Sequence, residues 1–290
     1  STTVETKSGL ASPLLLLHTG SAHPFEKKSP SMKPSDILLS LFVMFLWGTN
    51  FVAVKTAVGV VPPLMLMGLR FTLVAALLLP FVRPPTGYMR PVLMLSITLG
   101  LFHFGLLAIG LSGADATTAA IAIQLQVPFA TILAAIILHE RPGRTVIAGI
   151  IIAFGGVVLV AGKVDLSGNL FYLGLVILAA LGWAISNFQL KKLNRLNVFT
   201  LNAWVSLFAV PQLFLASFLF ENGQFAAVGR ADPVIWAAFA YVVLVMILGH
   251  GLWYGIIGRN QISIAVPFTL LAPVIGVASG VIVLGEPLSW

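Results

Sequence analysis

Cysteine is absent from all 290 residues, so disulfides and thiolate metal sites are excluded. Charge is scarce too. Only 9% of residues are Asp, Glu, Lys or Arg while 59% are hydrophobic, against roughly 25% charged in soluble domains, which excludes an ordinary soluble protein. No G-x-S-x-G, no metal-spaced histidine cluster and no Walker lysine occurs, so the usual hydrolytic centres are missing and ATP drive would need a second protein. The middles of the apolar runs contain no Asp or Glu, which removes the paired acids that an intramembrane enzyme would need. We therefore expect no enzyme, no metal and no cofactor.

Long apolar runs are what remains. Uncharged stretches cover 37–54, 91–114, 116–139, 145–162, 166–190, 196–220, 233–258 and 260–285, and a further one at 63–82 is broken only by Arg70. A membrane-spanning helix needs about 20 such residues, and the runs lack the alternation of a barrel strand. The expectation is an all-α integral membrane protein with nine spans. The net charge of +7 could suggest nucleic acid, but its placement argues otherwise. With the N-terminus inside, the inner loops carry Lys33, Arg83, Arg90, Arg141, Arg144, Lys191, Lys192, Arg195 and Arg259, whereas the outer loops carry Lys163 and Arg230. This positive-inside bias predicts a cytoplasmic N-terminus in a cell (inner) membrane. The same basic residues suit anionic lipid. Residues 1–35 are Ser-, Pro- and Lys-containing, and their apolar stretch Leu14–Leu17 is too short for a signal peptide; they are read as a disordered cytoplasmic tail.

One unusual phrase occurs twice. LWGTNFVAVK at 46–55 and LGWAISNFQLKK at 181–192 each join a Trp and a Gly to an Asn-Phe pair and a following Lys. A second pair, VPFATILAAIILHERP at 127–142 and APVIGVASGVIVLGEP at 272–287, has Pro early and Glu closing the run. The offsets agree: 187 − 50 is 137 for the Asn pair and 286 − 140 is 146 for the Glu pair. With five spans per half, copies on spans 1 and 6 run in opposite directions, which predicts two inverted repeats, 36–163 and 164–290. Inverted repeats let a midplane site open alternately to either side, which points to a secondary transporter. A scaffold would gain nothing from such access.

WGTNFVAVK with PPLMLMGLRF at 62–71, LHERP at 138–142 followed by AGIIIAFGGVVLV, and GHGLWYGIIGR with VPFTLLAP in the last third together resemble the drug/metabolite transporter superfamily, in particular its EamA-type members. The resemblance spans about residues 33–290. It implies two inverted bundles of five helices and export of amino acids or related metabolites, with import, or a drug or sugar-type substrate, left open. Against that pattern the chain stops four residues past Glu286, so the tenth helix is expected to be missing, leaving the second repeat truncated to spans 6–9.

Ionisable and amide groups inside hydrocarbon are candidate functional groups. Trp47 with Asn50 and Trp183 with Asn187 stand out because they repeat; Trp and Asn three or four apart share a helix face, and helix–helix hydrogen bonding is the structural alternative. Arg70 lies seven residues past Pro63, about 10 Å into the span, and could bind substrate or pair with Asp115. Gln124, Gln126, His103 and the His250, Trp253 and Tyr254 group complete the candidate lining, and either His could titrate near neutral pH in proton exchange. Lys55 is expected to snorkel to the outer surface, Glu140 and Glu286 to be structural, and the Gly251–Gly255 and Gly276–Gly280 pairs to serve packing. A small zwitterion suits such a lining, with amides, aromatic faces, one deep cation and no midspan acid.

Overall fold

The computed structural model describes residues 32–137, 144, 147–149, 151–152, 155–156, 169–193, 195–260 and 265–286. Among these, seven helices are long and apolar enough to cross a membrane. They are α1 (Pro34–Val58), α2 (Pro63–Leu78), α3 (Met89–Gly113), α4 (from Ala116 to Ile137), α5 (Asn169–Lys192), α6 (Val198–Phe220) and α7 (from Pro233 to Arg259). The last apolar run forms a shorter helix, α8 (Leu271–Leu284), preceded by a 3-10 segment at Val266–Leu270. The fifth run, 145–162, Glu140 and the tail up to residue 31 lie largely or wholly outside the described residues.

Local chemistry sets the helix ends. Pro34, Pro63 and Pro233 each occupy a first-turn position, where the missing N–H costs nothing and the fixed φ suits the helix. Asn197 caps α6 by accepting from the Phe199 and Thr200 amides, and Asp232 caps α7 by accepting from Ile235, the side-chain caps favoured at such ends. Gly285, at φ 68°, ends α8 in the left-handed conformation that glycine adopts without a side-chain penalty.

Charged side chains tie helix ends together at two levels. At one, Arg259 at the end of α7 donates to Asp36 on α1 at 2.9 Å, and Asn260 donates to the second oxygen at 2.9 Å. At the other, Glu221 accepts from the first α2 amides, Leu64 at 2.7 Å and Met65 at 3.0 Å. Glu286 accepts from the Ala116 and Thr117 amides that open α4, at 2.8 and 3.0 Å, and from the Thr117 hydroxyl at 2.6 Å. Each of the two glutamates thus satisfies orphan donors of a neighbouring helix and meets its positive end. Glu286→Ala is expected to lower stability by about 1–2 kcal/mol, the cost of a lost N-terminal cap, read as a lower thermal midpoint of the detergent-solubilised protein; an unchanged midpoint would contradict it.

The apolar core is shared by helices from both halves, with Val54, Phe71, Leu99, Val176, Ala209 and Val242 buried together. Small residues set the closest approaches. A Cβ on Gly276 would stand 3.0 Å from Ala120 Cβ, and one on Gly280 2.9 Å from Thr117 Oγ1, so that pair does seat α8 against α4. Gly251 and Gly255 do not form such a seam; their nearest atoms belong to the side chains of Phe199 and Arg259.

Two irregularities recur in order. α3 is π-helical over Ser96–Gly105 and α7 over Val245–His250, and each stretch carries a buried histidine, His103 or His250. α4 passes through a 3-10 turn at Ile123–Leu125, and α8 begins with the one at Val266–Leu270. Such departures from α geometry are often found at functional sites.

Candidate functional site

Trp47 of α1 is the centre of a cluster of rings. Its centroid lies 5.8 Å from Trp183 on α5, and 5.2 and 5.3 Å from His250 and Trp253 on α7. His103 on α3 lies 4.7 Å from Trp183, and Phe104 5.4 Å from His250. These are the offset and edge-to-face separations that aromatic quadrupoles favour. The approach depends on glycines: a Cβ at Gly249 would stand 3.1 Å from Trp47 Nε1, and one at Gly182 3.2 Å from the His103 backbone nitrogen. His103 is fixed by a 2.9 Å contact from Nδ1 to the Ala179 carbonyl. A carbonyl only accepts, so Nδ1 carries a proton.

The cluster forms one wall of a cavity of about 70 Å³ that opens at its mouth. Trp47, Trp183, His103, His250 and Phe104 line it on one side, with Asn50, Phe51 and Leu107 beside them. Gln124 and Gln126 at the α4 break and Thr269 and Ala272 at the start of α8 close it. The Gln126 amide donates to Gln124 Oε1 at 3.3 Å, and the Gln124 amide to the Thr269 carbonyl at 3.5 Å.

A second, smaller cavity, about 30 Å³, adjoins it and shares Asn50, Phe51, Phe104 and Leu107. Arg70 of α2 lines this one, with Met67, Val54, Ala108 and Leu111. Its side chain is 1% exposed, and its guanidinium carbon stands 4.7 Å from the Phe104 ring centroid, a cation–π geometry. Nη1 has a weak donor contact to Met67 Sδ at 3.8 Å, whereas Nε and Nη2 have no hydrogen-bond partner. The alternative of an ion pair with Asp115 is not what the structure contains: among the described residues the only salt bridge joins Arg259 and Asp36. Asn50 Oδ1 and Trp47 Nε1 are also buried without partners. Each unsatisfied buried group costs about 1–3 kcal/mol, and these belong to residues that line the two adjoining cavities, where an incoming polar atom can meet them.

Of the residues singled out in the sequence, Trp47, Asn50, Gln124, Trp183 and His250 line the larger cavity and Arg70 the smaller. Trp253 and Tyr254 stand behind: Trp253 packs on Trp47, and Tyr254 lies 6.2 Å from His250. Asn187 is exposed and lines neither cavity. The reason is angular. Three residues of helix turn the side chain about −60° from Trp47 to Asn50, whereas four turn it about +40° from Trp183 to Asn187, so the two amides stand on opposite sides of their tryptophans. Lys55 donates to the Ala114 carbonyl at 2.7 Å, satisfying the end of α3 in place of binding in the cavity. Phe104, the ring between Arg70 and His250, was not singled out.

The comparisons with known proteins agree with this setting. The description "EamA-like transporter family" belongs to a family model that matches twice, at residues 34–162 and 170–290. Curated relatives named "Probable amino-acid metabolite efflux pump" in Salmonella typhimurium and in Escherichia coli are each 33% identical over 269 residues, covering 89% of this chain and 90% of theirs. An "Uncharacterized transporter" of Archaeoglobus fulgidus is 31% identical over 261 residues, covering 87% of this chain and 91% of its own. With a polar, aromatic-walled cavity inside a bundle of membrane-spanning helices and a family match over both halves, this multi-pass membrane protein belongs to the EamA-like transporter family.

Proposed function

We propose that this chain is a secondary transporter that exports amino acids or related small metabolites by alternating access through the cavity between α1, α3, α4, α5, α7 and α8. The observation that carries the proposal is the internal cavity itself: it is walled by aromatic rings and amides, and its lining comes from both halves of the chain. The relatives named as efflux pumps supply the direction and the substrate class. The inverted-repeat reading, 36–163 against 164–290, is supported by the double family match and by the paired π-helical and 3-10 stretches. Two such halves can exchange conformations at similar energy, opening a midplane site to each side in turn. The basic residues of the loops favour the Asp36–Arg259 level at the cytoplasm, which a single introduced cysteine can test because the chain has none.

The test is efflux from vesicles containing the purified chain and loaded with an equimolar mixture of the twenty L-amino acids. We expect one or a few of them to leave faster than from protein-free vesicles, as read by mass spectrometry. Retention of all twenty at the protein-free rate would sink the amino-acid reading.

A further inference from the structure

The smaller cavity carries an assignment that the efflux reading alone does not. The two unpartnered donors of Arg70 are Nε and Nη2, and these carry the parallel pair of N–H bonds along the side edge of a guanidinium. That edge matches the two oxygens of a carboxylate, the bidentate geometry for which Arg is suited and Lys is not. Arginine stays charged in proteins, and among the described residues no carboxylate pairs with this one. The face of the group is already occupied by Phe104 and Nη1 by Met67, which leaves the Nε/Nη2 edge for an incoming anion. One guanidinium balances one negative charge, so a monoanionic head fits better than a doubly charged phosphate.

Asn50 adds the complementary group. It lines both cavities, and its Oδ1 is a buried acceptor without a donor. Next to it stand the rings of Trp47 and Trp183, whose faces attract cations. The smaller cavity thus offers donors for an anion and the larger one aromatic faces for a cation, with the acceptor of Asn50 in both.

We propose that Arg70 and Asn50 form a recognition site for the α-amino acid head group, the carboxylate held bidentately by Arg70 Nε and Nη2 in the smaller cavity and the ammonium by Asn50 Oδ1, with the substrate's side chain in the aromatic cavity. This rests on the efflux reading and deepens it by naming the substrate class as one with a free carboxylate. It also accounts for the buried charge: the guanidinium is neutralised by what the carrier moves, so occupancy lowers the cost of enclosing it.

The experiment compares, in vesicles with the unaltered chain, efflux of the twenty L-amino acids with efflux of their twenty amides, which keep the ammonium and side chain but lose the carboxylate charge. Arg70→Lys and Arg70→Gln are measured beside it, each checked for monodispersity in detergent, with Lys55→Gln as the control. We expect the exported amino acids to leave at least about tenfold faster than their amides, the scale on which a lost charge-assisted bidentate contact acts. Folded Arg70→Lys should lose export about as fully as Arg70→Gln, because a point charge does not replace the fork, and Lys55→Gln should stay within about twofold of the unaltered protein, as expected for a helix-end contact outside both cavities. Amides leaving as fast as acids would overturn the Arg70 assignment and leave the efflux reading standing, as would full export by Arg70→Gln. No efflux of either set would end both.

Discussion

Gly48→Ala is expected to abolish export and to lower the stability of the protein. A Cβ at this position would stand 2.6 Å from both Cβ and Cγ2 of Ile275 and 2.9 Å from the Ala272 carbonyl oxygen. Neither neighbour can swing aside. The Ile275 atoms are fixed at the branch next to its backbone, so α8 itself must move away from α1. Overpacking of this kind costs about 1–3 kcal/mol and sometimes more. The displacement also falls on the site, because Trp47 precedes Gly48 and Ala272 lines the cavity. Gly174→Ala is the comparison: it too is helical, but an added Cβ there meets nothing within 4 Å, so stability should hold or rise slightly as glycine is replaced by a better helix former. Thermal midpoints and efflux rates of the two variants decide the matter. Equal behaviour of the two would show that the α1–α8 contact yields easily and that this account of the seam is wrong.

The second large effect is expected at Trp47. Replacing it by Ala removes three ring contacts at 5.2 to 5.8 Å and opens a void in the middle of the bundle. Large aromatic-to-Ala changes in cores cost about 3–5 kcal/mol, so poor yield of folded protein is expected. Trp47→Phe separates the site from the scaffold. It keeps a ring against Trp183 and Trp253 but loses the unpartnered Nε1–H and part of the aromatic wall. We expect Trp47→Phe to be folded and to export at least about tenfold more slowly, a barrier change of ~1.4 kcal/mol. Export by the Phe variant at the original rate would remove the indole N–H from the site and leave Trp47 as packing alone.

Much of the helix plan was legible in the sequence because lipid-facing and core-facing positions are both apolar, so a span reads as an unbroken run. The same rule misplaced some ends. The first run was bounded by its charges, Asp36 and Lys55, yet α1 extends from Pro34 to Val58. Asp36 is held inside by Arg259 and Asn260, and Lys55 by the Ala114 carbonyl, partners too distant in sequence to be foreseen. Among the described residues of the last run, 260–285, the 3-10 turn at Val266–Leu270 interrupts regular winding and Gly285 stops it, which bounds α8 at Leu271–Leu284.

The candidate site was legible where a residue type is costly in a membrane. Trp47, Asn50, Arg70, Gln124, Trp183 and His250 are such residues, and the fold gathers them around two joined cavities. Phe104 had no such mark; it is one of 20 phenylalanines, and its place between Arg70 and His250 exists only in three dimensions. Asn187 is the opposite case, since a repeated letter pattern with one residue of extra spacing directs the side chain away from both cavities.

The ring cluster has an optical consequence. The chain contains six tryptophans, and three of them, Trp47, Trp183 and Trp253, stand together with Trp47 in contact with the other two. Indole emission depends on the polarity and the quenching groups at the ring, and two of these three rings line the cavity. The unlabelled protein therefore carries its own fluorophores at the site, so that occupancy, solvent entry and exchange between conformations act on the same intrinsic signal, with no reporter group added to a cavity whose shape depends on the rings already in it.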